Sequence, residues 1–417
     1  MPATFSRYQI FVIALLAFLQ FTIVLDFMIL SPLGALLLDQ LHITTQQFGL
    51  VVSAYAFSAG ASGLLAAGFA DRFDRKRMLL FFYTGFVLGT FLCAIANTYE
   101  FLLMARVVTG LFGGVIGSIS FAIIADLFPM EVRGRVMGFV QTAFSASQVF
   151  GLPAGLYLSN LWGWHAPFMM IVVASAAVGI LIFARLQPID GHLKVATATT
   201  TNPFKHLFAT VSQRRYLVAF GATMLLATGG FMLMPFGSAF TVHNMGIPLE
   251  QLPMIYVVTG ACSIVAGPLV GRLADALGKY LVFCLGSALA IGVVVYYCQL
   301  GVTPLWLVIL TNVFMFVAVS ARMISASALT SAVPDLKDRG AFMAVNSSLQ
   351  QLSGGVASSV AGLIVVQTAA GPLQRYDVLG YVVSVAMLIT MGLMYFIHRA
   401  VMHKGGQSGF TPAAKAA

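Results

Sequence analysis

The chain has 417 residues, of which 59% are hydrophobic and only 8% charged, and its formal net charge is +9; mean hydropathy is +0.94. Soluble domains carry about a quarter charged residues, so the composition excludes a soluble globular protein and points to an all-α integral membrane protein. A basic excess of this size would suggest nucleic acid in a soluble chain, and here membrane orientation accounts for it instead.

A helix needs about 20 apolar residues to cross about 30 Å of hydrocarbon. Such runs predict twelve spans, near 10–38, 46–70, 78–97, 100–126, 135–159, 165–186, 216–242, 252–274, 280–300, 304–330, 340–366 and 377–398. Arg7 precedes a first run too long for a cleavable signal and carrying Asp26, so span 1 is expected to stay. Residues 1–186 form a first six-helix bundle, 187–215 a polar linker, 216–398 a second bundle and 399–417 a tail. The linker's Thr run, Pro188 and Pro203 mark it as a connection, and its part "NPFKHLFATVSQRR" suits an amphipathic surface helix.

Along the chain, ionisable residues deep in spans are costly and therefore candidates for function. Span 1 has Asp26, the single acid of the membrane interior; span 4 has Arg106 and span 10 has Arg322. Asp26 lies ~20 Å along its helix from Asp39, Arg106 ~9 Å from Glu100 and Arg322 ~18 Å from Pro334, which puts both arginines in the outer half. Breaking one contact to a cation can change the charge of a buried carboxylate at neutral pH, so Asp26 with Arg106 suits proton coupling; a structural pair that only fixes packing is the other reading. For Arg322, contact with an anion, charge balance for Asp26 and snorkelling all stay open.

Polar stripes come next. Tyr55, Ser58 and Ser62 share a face of span 2, Gln141, Ser145 and Gln148 one of span 5, and Asn346, Gln350 and Ser353 one of span 11. Each stripe suits hydrogen bonds to a substrate or between helices. Cys93, Cys262, Cys284 and Cys298 lie singly in apolar runs, which fits packing, not metal or disulfide chemistry. No histidine falls in mid-span and no phosphate-binding loop occurs, so no cofactor, metal or ATP use is expected, nor an enzyme.

Between spans 2 and 3 the sequence "DRFDRKR" (71–77) packs six charges into seven positions. Lys and Arg collect on cytoplasmic flanks. With both termini inside, 19 of the 22 basic residues fall on the cytoplasmic side, Arg375 alone falls outside, and Arg106 and Arg322 are within the membrane. Anionic lipids of the inner leaflet are the expected partner of this face.

The charged loop has a counterpart: "FADRFDR" at 69 matches "LADALGK" at 273, setting Asp71 over Asp275 and Arg75 over Lys279. "FMILSPLGA" at 27 matches "FMLMPFGSA" at 231, and "RGRVMG" at 133 matches "RGAFMA" at 339. Nearly constant offsets of 203 to 206 mean two homologous halves, the parallel-repeat plan of one transporter class.

On these residues the chain resembles the major facilitator superfamily, in particular its twelve-span drug:proton antiporters, along essentially its whole length. The loop signature Gly-x-Leu-Ala-Asp-Arg-x-Gly-Arg-Lys is met by Ala67, Phe69, Ala70, Asp71, Arg72, Asp74, Arg75 and Lys76, with Ala67 and Asp74 at glycine positions. Asp74 would partner Arg72 or Arg77. "RVVTGLFGG" from Arg106 resembles the span 4 proton-coupling signature, with Thr109 for the usual Gln, and Gly151, Pro153 and Gly155 resemble the antiporter signature of span 5, although close packing explains them as well.

The resemblance implies alternating access, a cavity lined by spans 1, 4, 7 and 10, and a cytoplasmic gate of Asp71, Arg72, Arg75, Lys76, Asp126, Arg133 and Asp275, for which a plain positive-inside anchor is the other reading. Asp26, Arg106, Arg322, Gln141, Gln148, Asn346, Gln350 and Tyr55 are the expected cavity residues. The expected function is proton-coupled efflux of a small lipophilic or amphipathic molecule by a monomer in the inner or plasma membrane. Its alternatives are a carrier of an organic anion, siderophore or sugar, and a receptor on the same scaffold.

Overall fold

A computed structural model of the chain describes residues 5–66, 73–190, 213–335, 339–368 and 371–407, which are almost entirely helical. Span 1 begins at a capping box in which Ser6 Oγ accepts from Gln9 N and Gln9 Oε1 accepts from Ser6 N, runs over Arg7–Ile29, turns, and resumes as Gly34–Gln40. Pro32 sits in that turn, where its missing N–H and its ring oppose a continuous helix. Spans 2, 3 and 4 are Thr45–Ala66, Arg75–Ala94 and Tyr99–Leu127. Span 5 comprises Met130–Ala146, a π-helical turn Ser147–Gly151 and Leu152–Trp162; span 6 is Ala166–Arg185.

The second half repeats the order. Spans 7 to 12 are Arg214–His243, Leu252–Leu277, Lys279–Tyr297, Leu305–Ser331, Arg339–Ile364 and Tyr376–Gln407. A two-residue hairpin, Val366–Gln367 against Leu373–Gln374, links the last two. Pro235, the repeat partner of Pro32, lies inside a continuous span 7. The carbonyl such a proline frees is that of Phe231, four residues back, and Ser358 Oγ of span 11 donates to it at 2.9 Å.

Ten described helices are long and apolar enough to cross a membrane. The two further predicted spans are 5, interrupted by its π-helical turn, and 11, whose Ser and Gln residues dilute its hydropathy. Span 11 packs antiparallel along span 2 so closely that a Cβ at Gly49 would lie 2.7 Å from the Ser358 carbonyl oxygen, and one at Gly362 would lie 2.7 Å from that of Thr45.

Among the described residues, the bonds between halves gather towards one end of the bundles. Thr45 Oγ1 donates to Val365 O at 2.5 Å, Ser238 Oγ to Ser31 O at 2.8 Å, Ser359 Oγ to Ser53 Oγ at 2.8 Å and Asn160 Nδ2 to Leu249 O at 3.3 Å. Ser31 Oγ also donates to Met234 O, and His243 Nε2 faces Asp39 Oδ2 at 3.6 Å. The largest apolar core lies here and draws on both halves, with Leu33, Phe48, Phe236 and Ala361 among its members. Phe48 meets Phe236 edge-on, ring centroids 5.7 Å apart.

Candidate functional site

Asp26 is fully buried and Arg106 is 1% exposed, and the two meet. Arg106 Nη1 lies 2.9 Å from Asp26 Oδ2 and 3.5 Å from the Asp26 carbonyl oxygen. The other carboxylate oxygen accepts from Thr90 Oγ1 of span 3 at 3.1 Å. Tyr55 of span 2 completes the enclosure, its ring centroid 4.6 Å from Arg106 Cζ, while Arg106 Nε is buried without a hydrogen-bond partner. Spans 1 to 4 thus each supply one side chain to a closed site in which the Asp26 carboxylate is balanced by the Arg106 guanidinium.

Span 1 reaches this position because span 5 lets it approach. A Cβ at Gly151 would lie 2.6 Å from Leu25 Cδ1, and one at Gly155 2.6 Å from Ile29 Cδ1. The π-helical turn precedes Pro153, whose absent N–H leaves no donor for an ordinary helical bond to the Val149 carbonyl; Leu152 N–H instead donates to Ser147 O. The expected antiporter motif therefore seats the helix that carries Asp26.

Other expected residues are placed differently. Gln141 is exposed and Gln148 buried, so the span 5 stripe does not present one uniform face. Asn346 Oδ1 accepts from Thr223 Oγ1 at 2.7 Å within the second half, Gln350 is half-buried beside it, and Ser353 Oγ is buried without a partner. Ser58 and Ser62 donate to carbonyls of their own helix, Ala54 and Ala59, and a Cβ at Gly110 would fall 2.0 Å from Ser58 Oγ. That stripe packs span 2 on span 4. Thr109 Oγ1 donates to Ala105 O at 2.8 Å.

Arg322 is 4% exposed. Its Nε donates to Ser287 Oγ at 3.2 Å, and among the described residues no ion pair joins it to Asp26, whose partners are Arg106 and Thr90.

At the basic end, Asp71 and Arg72 lie outside the described residues. Arg75 Nε meets Asp126 Oδ2 at 3.1 Å, joining spans 3 and 4, and Lys76 Nζ donates to Phe183 O at 3.0 Å. Arg133 Nε donates to Phe128 O at 2.8 Å, with Nη2 on Ala125 O. Asp275 is exposed. These contacts between described residues stay within the first half. Asp74 meets Arg77 through the main chain: its Oδ1 accepts from the Arg77 N–H at 2.9 Å and its Oδ2 from that of Ile189 at 2.7 Å. A helix N-cap is its role, where the repeat-matched Gly278 instead turns with φ +97°.

Sequence reasoning missed Thr90 and Ser287, the hydroxyl partners of Asp26 and Arg322. Hydroxyls are frequent in spans, so the sole available signal was that both fall on helices neighbouring the charged ones.

The sequence model of the Major Facilitator Superfamily matches residues 16–358 and 219–415. The chain is 27% identical over 270 residues to an uncharacterized MFS-type transporter, YceJ, of Bacillus subtilis, covering 65% of this chain and 68% of that one. It is 24% identical to a probable sugar efflux transporter of Mannheimia succiniciproducens, covering 76% and 77%. Multidrug resistance protein 2 of Bacillus subtilis is 22% identical, covering 67% and 70%. Among solved structures, a bacterial homologue of the human lysosomal transporter Spinster, in an inward-facing and unoccupied conformation, superposes with a TM-score of 0.76 at 15% identity, covering 98% of this chain and all of the other.

Proposed function

This chain belongs to the Major Facilitator Superfamily, and from that premise we propose that it is a proton-coupled efflux transporter of small lipophilic or amphipathic compounds. The observation that carries the reading is the sealed Asp26–Arg106 pair, 2.9 Å apart on spans 1 and 4. A carboxylate balanced by one guanidinium and one hydroxyl loses its balance when the helices carrying them separate, and it then takes up a proton. Efflux is supported by the relatives named for sugar efflux and for multidrug resistance.

With both termini in the cytoplasm of a cell whose inner or plasma membrane holds the protein, the end where the halves join is the outer one. The conformation then belongs to the inward-facing side of the cycle, and Asp71, Arg72, Arg75, Lys76, Asp126, Arg133 and Asp275 are the residues of the latch that forms when the opposite end closes. Arg75–Asp126 would supply a preformed piece of that latch. Protons and the cargo are the partners, anionic lipids contact the basic face, and the monomer is the working unit.

Asp26→Asn imitates the protonated carboxyl. In proteoliposomes it is expected to lose transport driven by a pH gradient, and in weakly buffered detergent solution it is expected to lose proton release on substrate addition. Full pH-driven transport by Asp26→Asn would make the pair structural and the protein a facilitator or a carrier coupled elsewhere.

A further inference from the structure

Arg106 and Arg322 are both buried arginines, but they are provided for differently. Arg106 has a carboxylate. Arg322 has one hydroxyl, Ser287 Oγ, and the ring of Phe283, whose centroid lies 5.8 Å from its Cζ. Its Nη2 is buried with no hydrogen-bond partner. Taking a guanidinium out of water is costly unless an anion or several acceptors replace the water.

The internal repeat identifies what is missing. Setting Phe27 over Phe231 places Asp26 on Gly230, and setting Pro32 over Pro235 places it on Gly229; the second half has a glycine either way. The fold agrees, since a Cβ at Gly229 would lie 3.7 Å from Arg322 Nη1. Its other near neighbours are apolar, Met387 Cε at 3.6 Å and Val383 Cγ1 at 3.7 Å, while at Gly230 a Cβ would meet nothing within 4 Å. The second half has no acid within a predicted span: Glu250, Asp275, Asp335, Asp338 and Asp377 all fall at or beyond the span ends.

We propose that Arg322 is an anion subsite, in which a carboxylate, sulfonate or phosphate group of the cargo takes the place in the second half that the Asp26 carboxylate takes in the first. Val383, Met387 and Phe283 offer apolar contact to the rest of the molecule. This inference rests on the transporter reading and narrows its amphipathic compounds to amphipathic anions.

The test uses the full-length protein in neutral detergent, with 1-naphthoate and the uncharged 1-naphthamide as probes. Naphthoate is expected to raise the unfolding midpoint and naphthamide to leave it unchanged, because a ligand that binds only the folded state stabilises it. Arg322→Gln should weaken naphthoate binding by roughly tenfold or more, as loss of one partner of a buried charge pair does. Gly229→Asp, which tethers a carboxylate in the same place, should remove the response.

A ligand-free comparison guards against a failed fold. Gly229→Asp should unfold at a higher temperature than Gly229→Asn, and the difference should vanish when Arg322→Gln is added. Equal stabilisation by both probes, a naphthoate response that survives Arg322→Gln, no naphthoate response in the wild type, or no advantage of Asp over Asn at 229 would each overturn the proposal. The transporter reading is judged separately, by Asp26→Asn and pH-driven transport, so either can fail alone.

Discussion

Asp26 has two carboxylate oxygens, and the fold gives each a donor: Arg106 Nη1 at 2.9 Å and Thr90 Oγ1 at 3.1 Å. Removing the acid outright strands a buried cation, whereas asparagine keeps an acceptor. Asp26→Leu is therefore expected to cost about 3 to 5 kcal/mol, the usual penalty for breaking a buried pair, and Asp26→Asn clearly less, by thermal unfolding in detergent. Thr90→Val removes one donor to the ionised form and nothing else of similar size. If the pair carries the proton, Thr90→Val should shift the pH dependence of transport to higher pH, since the charged carboxylate loses support; an unchanged profile would leave Thr90 a packing residue. Asp26 and Arg106 were legible in the sequence because charges inside spans are rare and costly. The partnering was not, because a sequence does not say that Arg106, and not Arg322, meets Asp26.

At the scale of elements, hydropathy located the spans and the repeat ordered them, but the departures from regular helix had weaker signals. Pro32 and Pro235 occupy matched positions, yet span 1 breaks and span 7 continues. The difference depends on a distant hydroxyl, Ser358, which satisfies the freed Phe231 carbonyl and which no local pattern announces. Ser358→Ala should leave that carbonyl unpaired and cost about 1 to 3 kcal/mol, whereas the same change at exposed Ser347 should be close to neutral; equal effects would remove Ser358 from the account. Spans 2 and 11 test the closed end. Their backbones approach through Gly49 and Gly362, where a single Cβ would sit 2.7 Å from a carbonyl oxygen. Gly362→Val should keep this end from closing, so that a cysteine at Ser53 becomes more reactive to a membrane-impermeant thiol reagent from outside than it is without the substitution. Continued protection at Ser53 would show that the halves close there without the glycine contact.

For the whole molecule, the direction of every step depends on which face is outside, and the charge distribution carries that assignment. Nineteen of the 22 basic residues fall on one face in the twelve-span reading, an asymmetry that orients membrane helices because Lys and Arg are retained in the cytoplasm. Single cysteines replacing Thr44, Thr98 and Gly246 should accordingly react with an impermeant thiol reagent added to intact cells, and cysteines replacing Phe73 and Thr200 should react only after the membrane is opened. Labelling of Phe73→Cys from outside would invert the topology, and with it the inward-facing reading of a structure whose halves join around Thr45, Asp39 and Val365. Asp71→Asn then tests alternation itself. If the basic loop latches the cytoplasmic end, losing the acid should favour the state described here by about 1 to 3 kcal/mol, the usual size of a coupling term. External labelling at Ser53 should fall and cytoplasmic labelling at Phe73 should rise together, because one closed end is exchanged for the other. A change at one end alone would mean that the two ends open independently, and the loop would then be an anchor.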